Sequence, residues 1–305
     1  MVDGKAGSIK RGYIYIIISA VIFGCMPLMA RYIYAEGVNS ITLVWLRNVI
    51  SLPFLFGLGI LFRESFAVKP KDAAWIVVIG TFGCAITPFL LFSSYNYING
   101  GVATVFHFVY PAVVLLLEFI FLRSRIRWAS AVAIALCVLG ICLFYNPGES
   151  FDLTGSALAL SSGVTYAVYI FLLGKFKSNR IGGYVFSFFA TLGSSVILML
   201  VCLLSGELSL PTSILGWVLC CVFAVAVNVG AVVLFQRGTF IIGGQRASIL
   251  STFEPITGLI VGYIAFGETS GPLAAIGSLL VIAASVLIAV LDKRESGKDK
   301  ESDDA

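Results

Sequence analysis

Long apolar runs separated by short polar connections constrain this chain more than any other feature. A helix needs about 20 mostly apolar residues to cross a bilayer, and 305 residues leave room for ten such helices. The chain is 59% hydrophobic and 12% charged, against about 25% charged in an ordinary soluble domain. We therefore predict an all-α membrane protein with ten transmembrane helices, at 13–34, 41–62, 73–95, 101–122, 128–145, 155–174, 182–205, 213–236, 246–267 and 271–291.

Lys and Arg are distributed unevenly among the connections. Eighteen of the twenty lie before the first predicted helix or after the second, fourth, sixth, eighth and tenth. Because cytoplasmic segments carry the Lys and Arg excess, both termini are predicted to be cytoplasmic. The other two, Arg31 and Arg47, lie within predicted helices. The alternate connections contain neither residue type, near 35–40, 95–100, 146–154, 205–211 and 267–271.

The two halves of the chain resemble each other. Tyr97–Gly101 precedes the fourth predicted helix and Phe240–Gly244 precedes the ninth, and each ends in a glycine pair. Pro111 follows the first pair and Pro255 the second at nearly the same distance. Half-length similarity is typical of transporter repeats. Since five helices per half is an odd number, the halves must enter the membrane in opposite senses. The prediction is an inverted repeat over 10–147 and 152–292, followed by a polar, disordered cytoplasmic tail at 293–305.

These features resemble the EamA-type transporters of the drug/metabolite transporter superfamily. The resemblance rests on the two five-helix repeats, the glycine pair ahead of each proline-containing helix, and Phe266-Gly267-Glu268 at the end of the ninth predicted helix. Phe23-Gly24 and Arg47 also fit, although the family's usual Trp before that glycine is Phe23 here. The resemblance covers about residues 10–292 and implies transport of small solutes such as amino acids, purines, sugars or amphipathic drugs, often outward.

Polar residues deep in the predicted helices are the candidate substrate-binding residues. A charge at the centre of a membrane helix costs at least about 2.5–3.5 kcal/mol, so each such residue needs a reason to be there. His107, the only histidine, falls on one helical stripe with Tyr110 and Glu118. The repeat aligns Tyr110 with Glu254 and His107 with Ser251. The candidates are Arg47, His107, Tyr110, Glu118, Tyr166, Asn228, Ser251 and Glu254.

Each candidate has a functional and a structural interpretation. Arg47 is expected to bind an anionic substrate group such as a carboxylate, or else to form a structural ion pair with Glu118 or Glu254. Glu254 is expected to bind a substrate amine or to carry a coupling proton, or else to be a protonated carboxyl bonded to a neighbouring helix. His107 is expected at a central, water-filled cavity with Tyr110 and Glu254, or else as a hydrogen-bonding link between helices.

These features predict a multipass plasma-membrane transporter of a small metabolite, an amino acid or similar compound, that works by alternating access. Export is favoured over import. A proton-coupled antiporter of lipophilic cationic drugs is the first alternative. A membrane-embedded enzyme is the second, and it is disfavoured because one histidine with no acidic residue close in sequence is not a catalytic cluster. The expected partners are the small-molecule substrate, the lipid bilayer and, in a coupled mechanism, protons. We expect no nucleic acid, cofactor or metal, and a monomer, because the second repeat supplies what a dimer partner otherwise would.

Overall fold

A computed structural model describes residues 2–122, 152–176, 181–251, 253–267 and 271–284 without 274 and 281, and isolated positions at 132–143 and 287. All the regular structure in these residues is helical. Eight helices are long and apolar enough to cross a membrane. They are α1 (Ile9–Ala35), α2 (Ser40–Leu61), α3 (Pro70–Ser94), α4 (Gly100–Phe121), α5 (Leu153–Lys175), α6 (Gly183–Ser205), α7 (Ile214–Ile242) and α8 (Arg246–Ala265). A shorter apolar helix, α9 (Ala275–Ala284), follows.

The helices agree with the prediction for most of the chain. Helices α1–α4 match the first four predicted helices and α5–α8 match the sixth to ninth, with starts and most ends within a few residues. The fifth predicted helix, 128–145, lies almost entirely outside the described residues, and α9 covers part of the tenth. The described part therefore accounts for eight of the ten expected membrane helices.

The largest difference is at the end of α7, which continues to Ile242 rather than stopping at 236. The earlier stop was expected because Arg237 was assigned to a cytoplasmic connection. Its Nη2 donates to Glu64 Oε1 at 2.9 Å, and its guanidinium lies 3.9 Å from the centroid of the Tyr184 ring. This pairing lets a charged side chain remain on the last turns of an otherwise apolar helix.

Helices α2 and α6 start at Ser40 and Gly183, which the repeat aligns, and they run antiparallel. The start of α2 lies beside the end of α6: Asn39, just before α2, donates from Nδ2 to the backbone oxygen of Glu207, just after α6, at 2.6 Å. At the other end, Glu64 Oε2 accepts from the backbone N–H groups of Tyr184 and Val185 at 2.8 and 2.9 Å. Each helix thus begins where its counterpart in the other half ends.

The repeat also appears in the backbone angles after these two helices. Arg63 has a φ of 55° and Gly206 a φ of 68°, and the offset between them is the same as that between the two helix starts. Arg63 is the only described residue other than glycine with a positive φ. Both are left-handed residues at a helix C-terminus, where glycine is the usual occupant because it has no Cβ. The two halves therefore end this helix in the same way with different residues.

Two membrane helices contain π-helical segments at equivalent positions. One runs from Thr81 to Ile86 in α3 and the other from Val225 to Val232 in α7, so they begin within one residue of equivalent repeat positions. They are joined through α2: Asn228 Nδ2 donates to Asn48 Oδ1 at 2.8 Å, and Asn48 Nδ2 donates to Cys84 O at 2.8 Å. π-Helical segments are often found at functional sites.

Helices α4 and α8 are each interrupted once within their length. In α4 the regular helix stops at His107 and resumes at Tyr110, and in α8 it stops at Leu250 and resumes at Phe253. A proline follows each interruption, Pro111 and Pro255. Proline has no N–H to donate into the preceding turn, which explains why both helices open there. These interruptions bring polar backbone and side chains to the centre of the helix bundle.

Candidate substrate-binding site

A small cavity lies at the centre of the bundle, among helices from both halves. Its volume is about 40 Å³, room for about three ordered waters and far below the roughly 300–1,000 Å³ of a metabolite site. A substrate would therefore require the helices around it to separate. The cavity is lined by Phe23, Met26, Arg47, Gly83, Thr87, Pro88, Leu91, Phe92, His107, Tyr166, Tyr169, Val232, Phe235 and Glu254.

Two larger cavities flank this one, and neither shares a lining residue with it. The first vestibule, about 510 Å³, is bordered by the end of α1 and by the connection 95–101. The second vestibule, about 380 Å³, is bordered by the ends of α5 and α7 and by the start of α8. Helix α4 starts at the first vestibule with Gly100 and reaches the second with Glu118, a rise of about 27 Å at about 1.5 Å per residue. The vestibules therefore lie at opposite ends of the bundle.

A close glycine contact borders each vestibule. A Cβ on Gly100 would lie 2.5 Å from Pro27 Cβ, so α4 and α1 touch at the first vestibule. A Cβ on Gly244, two residues ahead of α8, would lie 3.0 Å from Ile170 O, so the chain entering α8 touches α5 at the second. Gly100 and Gly244 each belong to the glycine pair of their own repeat, and the repeat aligns Pro27 with Ile170. The same contact thus occurs once in each half, at opposite ends of the molecule.

Arg47 lies on α2 and is 2% exposed. Its Nε has no hydrogen-bond partner, and within the described part its guanidinium makes no ion pair. The contact recorded for the charged group is with an aromatic face, Cζ lying 5.5 Å from the centroid of the Phe92 ring. The structural ion pair with Glu118 or Glu254 that the sequence left open is therefore not formed here.

Asn228 lies behind Arg47 rather than in the cavity. Its Nδ2 has two N–H groups, and they are shared among three acceptors: Arg47 O at 3.2 Å, Asn48 Oδ1 at 2.8 Å and Ser51 Oγ at 3.2 Å. All three acceptors belong to α2. The side chain therefore holds the α2 backbone at Arg47 against the π-helical segment of α7, which is a supporting position.

Glu254 is 2% exposed, lines the cavity, and its Oε2 has no hydrogen-bond partner. A glycine on α1 makes its position possible. A Cβ on Gly24 would lie 2.6 Å from Glu254 O and 2.5 Å from Thr257 Cβ. The missing side chain lets α1 and α8 pack backbone to backbone, which gives the Phe23-Gly24 pair of the sequence a structural reason.

His107 lies at the interruption of α4 and is held by α5. Its Nδ1 is 2.8 Å from Ser162 Oγ. A Cβ on Gly163 would lie 2.4 Å from His107 O, so α5 can approach α4 this closely only with glycine at that position. The imidazole lines the cavity between two phenol rings, with centroid distances of 5.3 Å to Tyr110 and 5.1 Å to Tyr166.

Aromatic rings form the wall of the cavity beside His107. Tyr166 stacks on Tyr169 with centroids 5.6 Å apart and lies 5.7 Å from Phe235. Tyr110 is fully buried and does not line the cavity; its ring meets Tyr166 edge to face at 4.8 Å. The wall thus contacts a ligand through Tyr166, and Tyr110 supports it from behind.

The remaining candidates lie at two different places. Ser251 Oγ donates to Ala247 O at 2.9 Å, and the Tyr110 hydroxyl lies beside Ser251 without a hydrogen bond of ordinary geometry. Glu118 lines the second vestibule together with Lys175 and Arg246. The regular stripe expected from His107 to Glu118 is interrupted at Phe108 and Val109, where α4 opens ahead of its proline. Three candidates therefore meet His107 at the cavity (Arg47, Tyr166 and Glu254), while Tyr110 and Ser251 lie behind it and Glu118 lies apart.

Several residues of the site are missing from the candidates taken from the sequence. Ser162 and Thr87 carry small hydroxyl side chains, and in an apolar run such residues are typical of helix packing rather than of ligand binding. Asn48 is adjacent to Arg47 and is fully buried. A polar amide within a predicted membrane helix is a sequence signal that could have identified it. Phe92 and Phe235 have no signal, because aromatic residues occur throughout such helices. No group of three or more His, Cys, Asp or Glu side chains in the described part is arranged to hold a metal ion.

Comparison with known proteins identifies the family. The sequence profile of the EamA-like transporter family matches residues 10–146 and again 153–290. The chain belongs to the EamA-like transporter family. It is accordingly an integral membrane protein that crosses the membrane several times.

Relatives in bacteria resemble this EamA-like protein over most of their length. An uncharacterized inner membrane transporter of Salmonella typhimurium is 23% identical over 302 residues, covering 95% of this chain and 99% of the relative. A probable terminal-alkyne amino-acid exporter of Streptantibioticus cattleyicolor is 25% identical over 243 residues, covering 77% of this chain and 78% of the relative. A protein crystal structure matches with a TM-score of 0.69 at 18% identity, covering 93% of this chain and 98% of that one, which establishes the shared fold.

Proposed function

We propose that this EamA-like protein transports a zwitterionic metabolite, an amino acid or a similar compound, with Arg47 and Glu254 at the two polar ends of the substrate. One observation carries the proposal: Arg47 and Glu254 line the same cavity, Arg47 Nε and Glu254 Oε2 have no hydrogen-bond partner, and neither side chain has an ion-pair partner among the described residues. Polar groups buried without partners are costly. A ligand with one carboxylate and one ammonium would satisfy both.

The geometry of each group suits its proposed role. The planar guanidinium of Arg47 can bind a carboxylate through two parallel hydrogen bonds. Glu254 can accept hydrogen bonds from a substrate amine, or carry a proton in exchange for it. The aromatic wall formed by Tyr166, Tyr169 and Phe235 would contact the rest of the substrate, since pockets for small molecules are mostly apolar with few polar groups.

Three of the candidate residues act indirectly in this proposal. Tyr110 and Ser251 support the cavity wall from behind, and Asn228 holds the backbone at Arg47. Glu118 belongs to the second vestibule and would act on the route of the substrate rather than at its central site. Lys175 and Arg246 line the same vestibule and give it a basic border that favours an anionic group.

Alternating access is the proposed mechanism, because the close contacts occur once in each half and at opposite ends. Opening the α1–α4 contact at Gly100 would connect the cavity to the first vestibule, and opening the α5–α8 contact at Gly244 would connect it to the second. The antiparallel arrangement of α2 and α6 supports an inverted repeat, whose halves can exchange these roles.

A cross-linking experiment tests this mechanism. In a background without the native cysteines, the pairs Pro27→Cys with Gly100→Cys and Ile170→Cys with Gly244→Cys should each form a disulfide after a small shift. Each disulfide is expected to stop exchange in liposomes, reduction should restore it, and the four single-cysteine variants serve as controls. Full exchange by both oxidised pairs would refute the proposed gates.

The cellular setting is proposed from charge and from the relatives. The Lys and Arg distribution favours a cytoplasmic location for both termini, and the bacterial relatives favour the plasma membrane. Export is the favoured direction because one relative is named as an exporter of an amino acid. We propose a monomer, since each half of the chain supplies the other's partner around the central cavity.

The experiment that tests the substrate class is counterflow exchange by the purified protein in liposomes. Three compounds of nearly equal shape separate the two polar ends: leucine, 3-methylbutylamine without the carboxylate, and 4-methylpentanoate without the amine. Leucine or another amino acid should exchange, and neither half-molecule should. Exchange of the amine alone would remove Arg47 from the site, and exchange of the acid alone would remove Glu254.

A proton-coupled antiporter of lipophilic cations is the second candidate. The aromatic rings beside Glu254, including Phe23 and Phe92, favour it, because such rings attract cations. Two observations weigh against it: Glu118 lies in a different cavity from Glu254, and the Arg47 guanidinium would repel a cation. Exchange of a cationic dye without exchange of any amino acid would reverse this order. A membrane-embedded enzyme is disfavoured because the chain belongs to a transporter family.

A further inference from the structure

The hydrogen bonds around Ser162 determine where its single proton lies. Ser162 Oγ is 2.6 Å from Ala159 O in its own helix and 2.8 Å from His107 Nδ1. A carbonyl oxygen has no proton to give, so the first contact is a hydrogen bond only if Ser162 donates it. No second proton is left for His107, and Nδ1 must therefore donate to Ser162. A neutral imidazole carries one N–H, so Nε2 is then an acceptor.

The surroundings of His107 leave that acceptor available to a ligand. The imidazole lines the central cavity, and no described residue forms a hydrogen bond with Nε2. The ring cannot easily turn, because it is 2% exposed and lies between the rings of Tyr110 and Tyr166. Gly163 fixes the distance between the two helices, since any Cβ there would collide with His107 O.

We propose that Ser162 is a positioning residue that holds His107 with a bare Nε2 directed at the substrate, and that Nε2 binds the ammonium group beside Glu254. This inference rests on the proposed transport of zwitterions and adds the orientation of the substrate. Two acceptors, His107 and Glu254, form the ammonium end of the site, and Arg47 forms the carboxylate end. A primary ammonium has three N–H donors, so the site should favour it over N-methylated amines.

Nitrogen NMR tests the tautomer without any transport measurement. His107 is the only histidine, so ring-labelled ¹⁵N-histidine gives the signals of this one site. We expect a protonated Nδ1 and a bare Nε2 in the native protein at neutral pH. Ser162→Ala removes the acceptor and should shift the population toward the other tautomer. Ser161→Ala, at the exposed neighbouring position on the same helix, should keep the native spectrum. A native spectrum with a protonated Nε2 overturns the inference.

Counterflow with methylated substrates tests the selectivity. Leucine should exchange, N-methyl-leucine less well, and N,N,N-trimethyl-leucine, which has no N–H, not at all. Loss of one hydrogen bond predicts that Ser162→Ala raises the half-saturation concentration of leucine about three- to tenfold, with a smaller effect for N-methyl-leucine. Equal effects on both substrates, or full exchange of the trimethyl compound by the native protein, would refute the ammonium assignment. If no zwitterion exchanges, the proposed function fails together with the ammonium assignment, while the NMR result still decides the tautomer.

Discussion

Replacing Arg47 tests whether this residue binds the substrate or stabilises the fold. The guanidinium is 2% exposed, has no ion pair in the described part of the chain and lies over the ring of Phe92. A charge in this state stabilises nothing by pairing, so Arg47→Ala removes a buried cation without leaving an unpaired carboxylate. We therefore expect the thermal stability of the purified protein to stay close to that of the native protein, or to rise.

The loss in transport follows from the bond that the substrate would make. Hydrogen bonds to charged groups contribute about 1.5–3 kcal/mol each, and every 1.4 kcal/mol is about tenfold in affinity. Arg47→Ala removes the whole guanidinium and so at least one such bond, and the half-saturation concentration for an amino acid should rise at least roughly tenfold. Arg47→Lys should restore part of the loss, because an ammonium keeps the charge but not the planar pair of donors.

Two measurements on the same preparations decide the outcome: melting temperature in detergent and counterflow of an amino acid in liposomes. Arg11→Ala is the matched control, since it removes an arginine from an exposed position outside the cavity. A large drop in melting temperature for Arg47→Ala would show that the residue has a structural partner. An Arg47→Ala protein that is both fully stable and fully active would refute the substrate role as well.

Three further predictions concern the carboxylate, the helix ends and the topology. Glu254→Gln should lower the exchange rate of an amino acid at least about tenfold without changing the yield of folded protein. Glu207→Gln is the control, because Glu207 is an exposed carboxylate, and it should leave exchange unchanged. Equal exchange by the two variants would remove Glu254 from the site. Arg63→Gly should leave the melting temperature unchanged or raise it, because a positive φ costs a residue with a Cβ about 1 kcal/mol. Gly206→Ala should lower the stability by about 1 kcal/mol for the same reason, since its Cβ would touch nothing within 4 Å. The opposite pattern in thermal unfolding would contradict the repeat argument. A single cysteine at Ser65, in a background without native cysteines, should resist membrane-impermeant labelling in intact cells, and labelling would reverse the predicted orientation.

The membrane helices could be predicted from the sequence because one physical requirement dominates them. Backbone groups in lipid must be satisfied within the helix, and about 20 apolar residues are needed to cross the bilayer. The one large error in a helix end, at α7, came from treating Arg237 as a solvent-exposed charge. Its partners, Glu64 and Tyr184, lie at the ends of other helices, far from Arg237 in the sequence. The local sequence around Arg237 therefore does not predict this pairing.

The π-helical segments could not be predicted for a related reason. Residues 81–86 and 225–232 are apolar on nearly every side, so their periodicity does not distinguish an α-helix from a wider one. Asn228 was identified as a buried polar residue, but its partners on α2 follow only from the three-dimensional packing. A polar residue in an apolar helix indicates that something nearby binds it, and the sequence does not say whether this is the protein or a ligand.

The apolar wall of the cavity follows the symmetry of the two repeats, and its charged residues do not. Three pairs of cavity-lining residues are counterparts in the two repeats: Phe23 and Tyr166, Met26 and Tyr169, and Phe92 and Phe235. The charged groups break this symmetry, because Arg47 corresponds to Ala190 and Glu254 to Tyr110. One charge therefore comes from each half. A zwitterion bound by both would connect the two halves across the apolar wall, and its binding energy would favour the closed arrangement over either open one. A carboxylate or an amine alone would engage one half only, which is the physical reason to expect that neither half-molecule is exchanged.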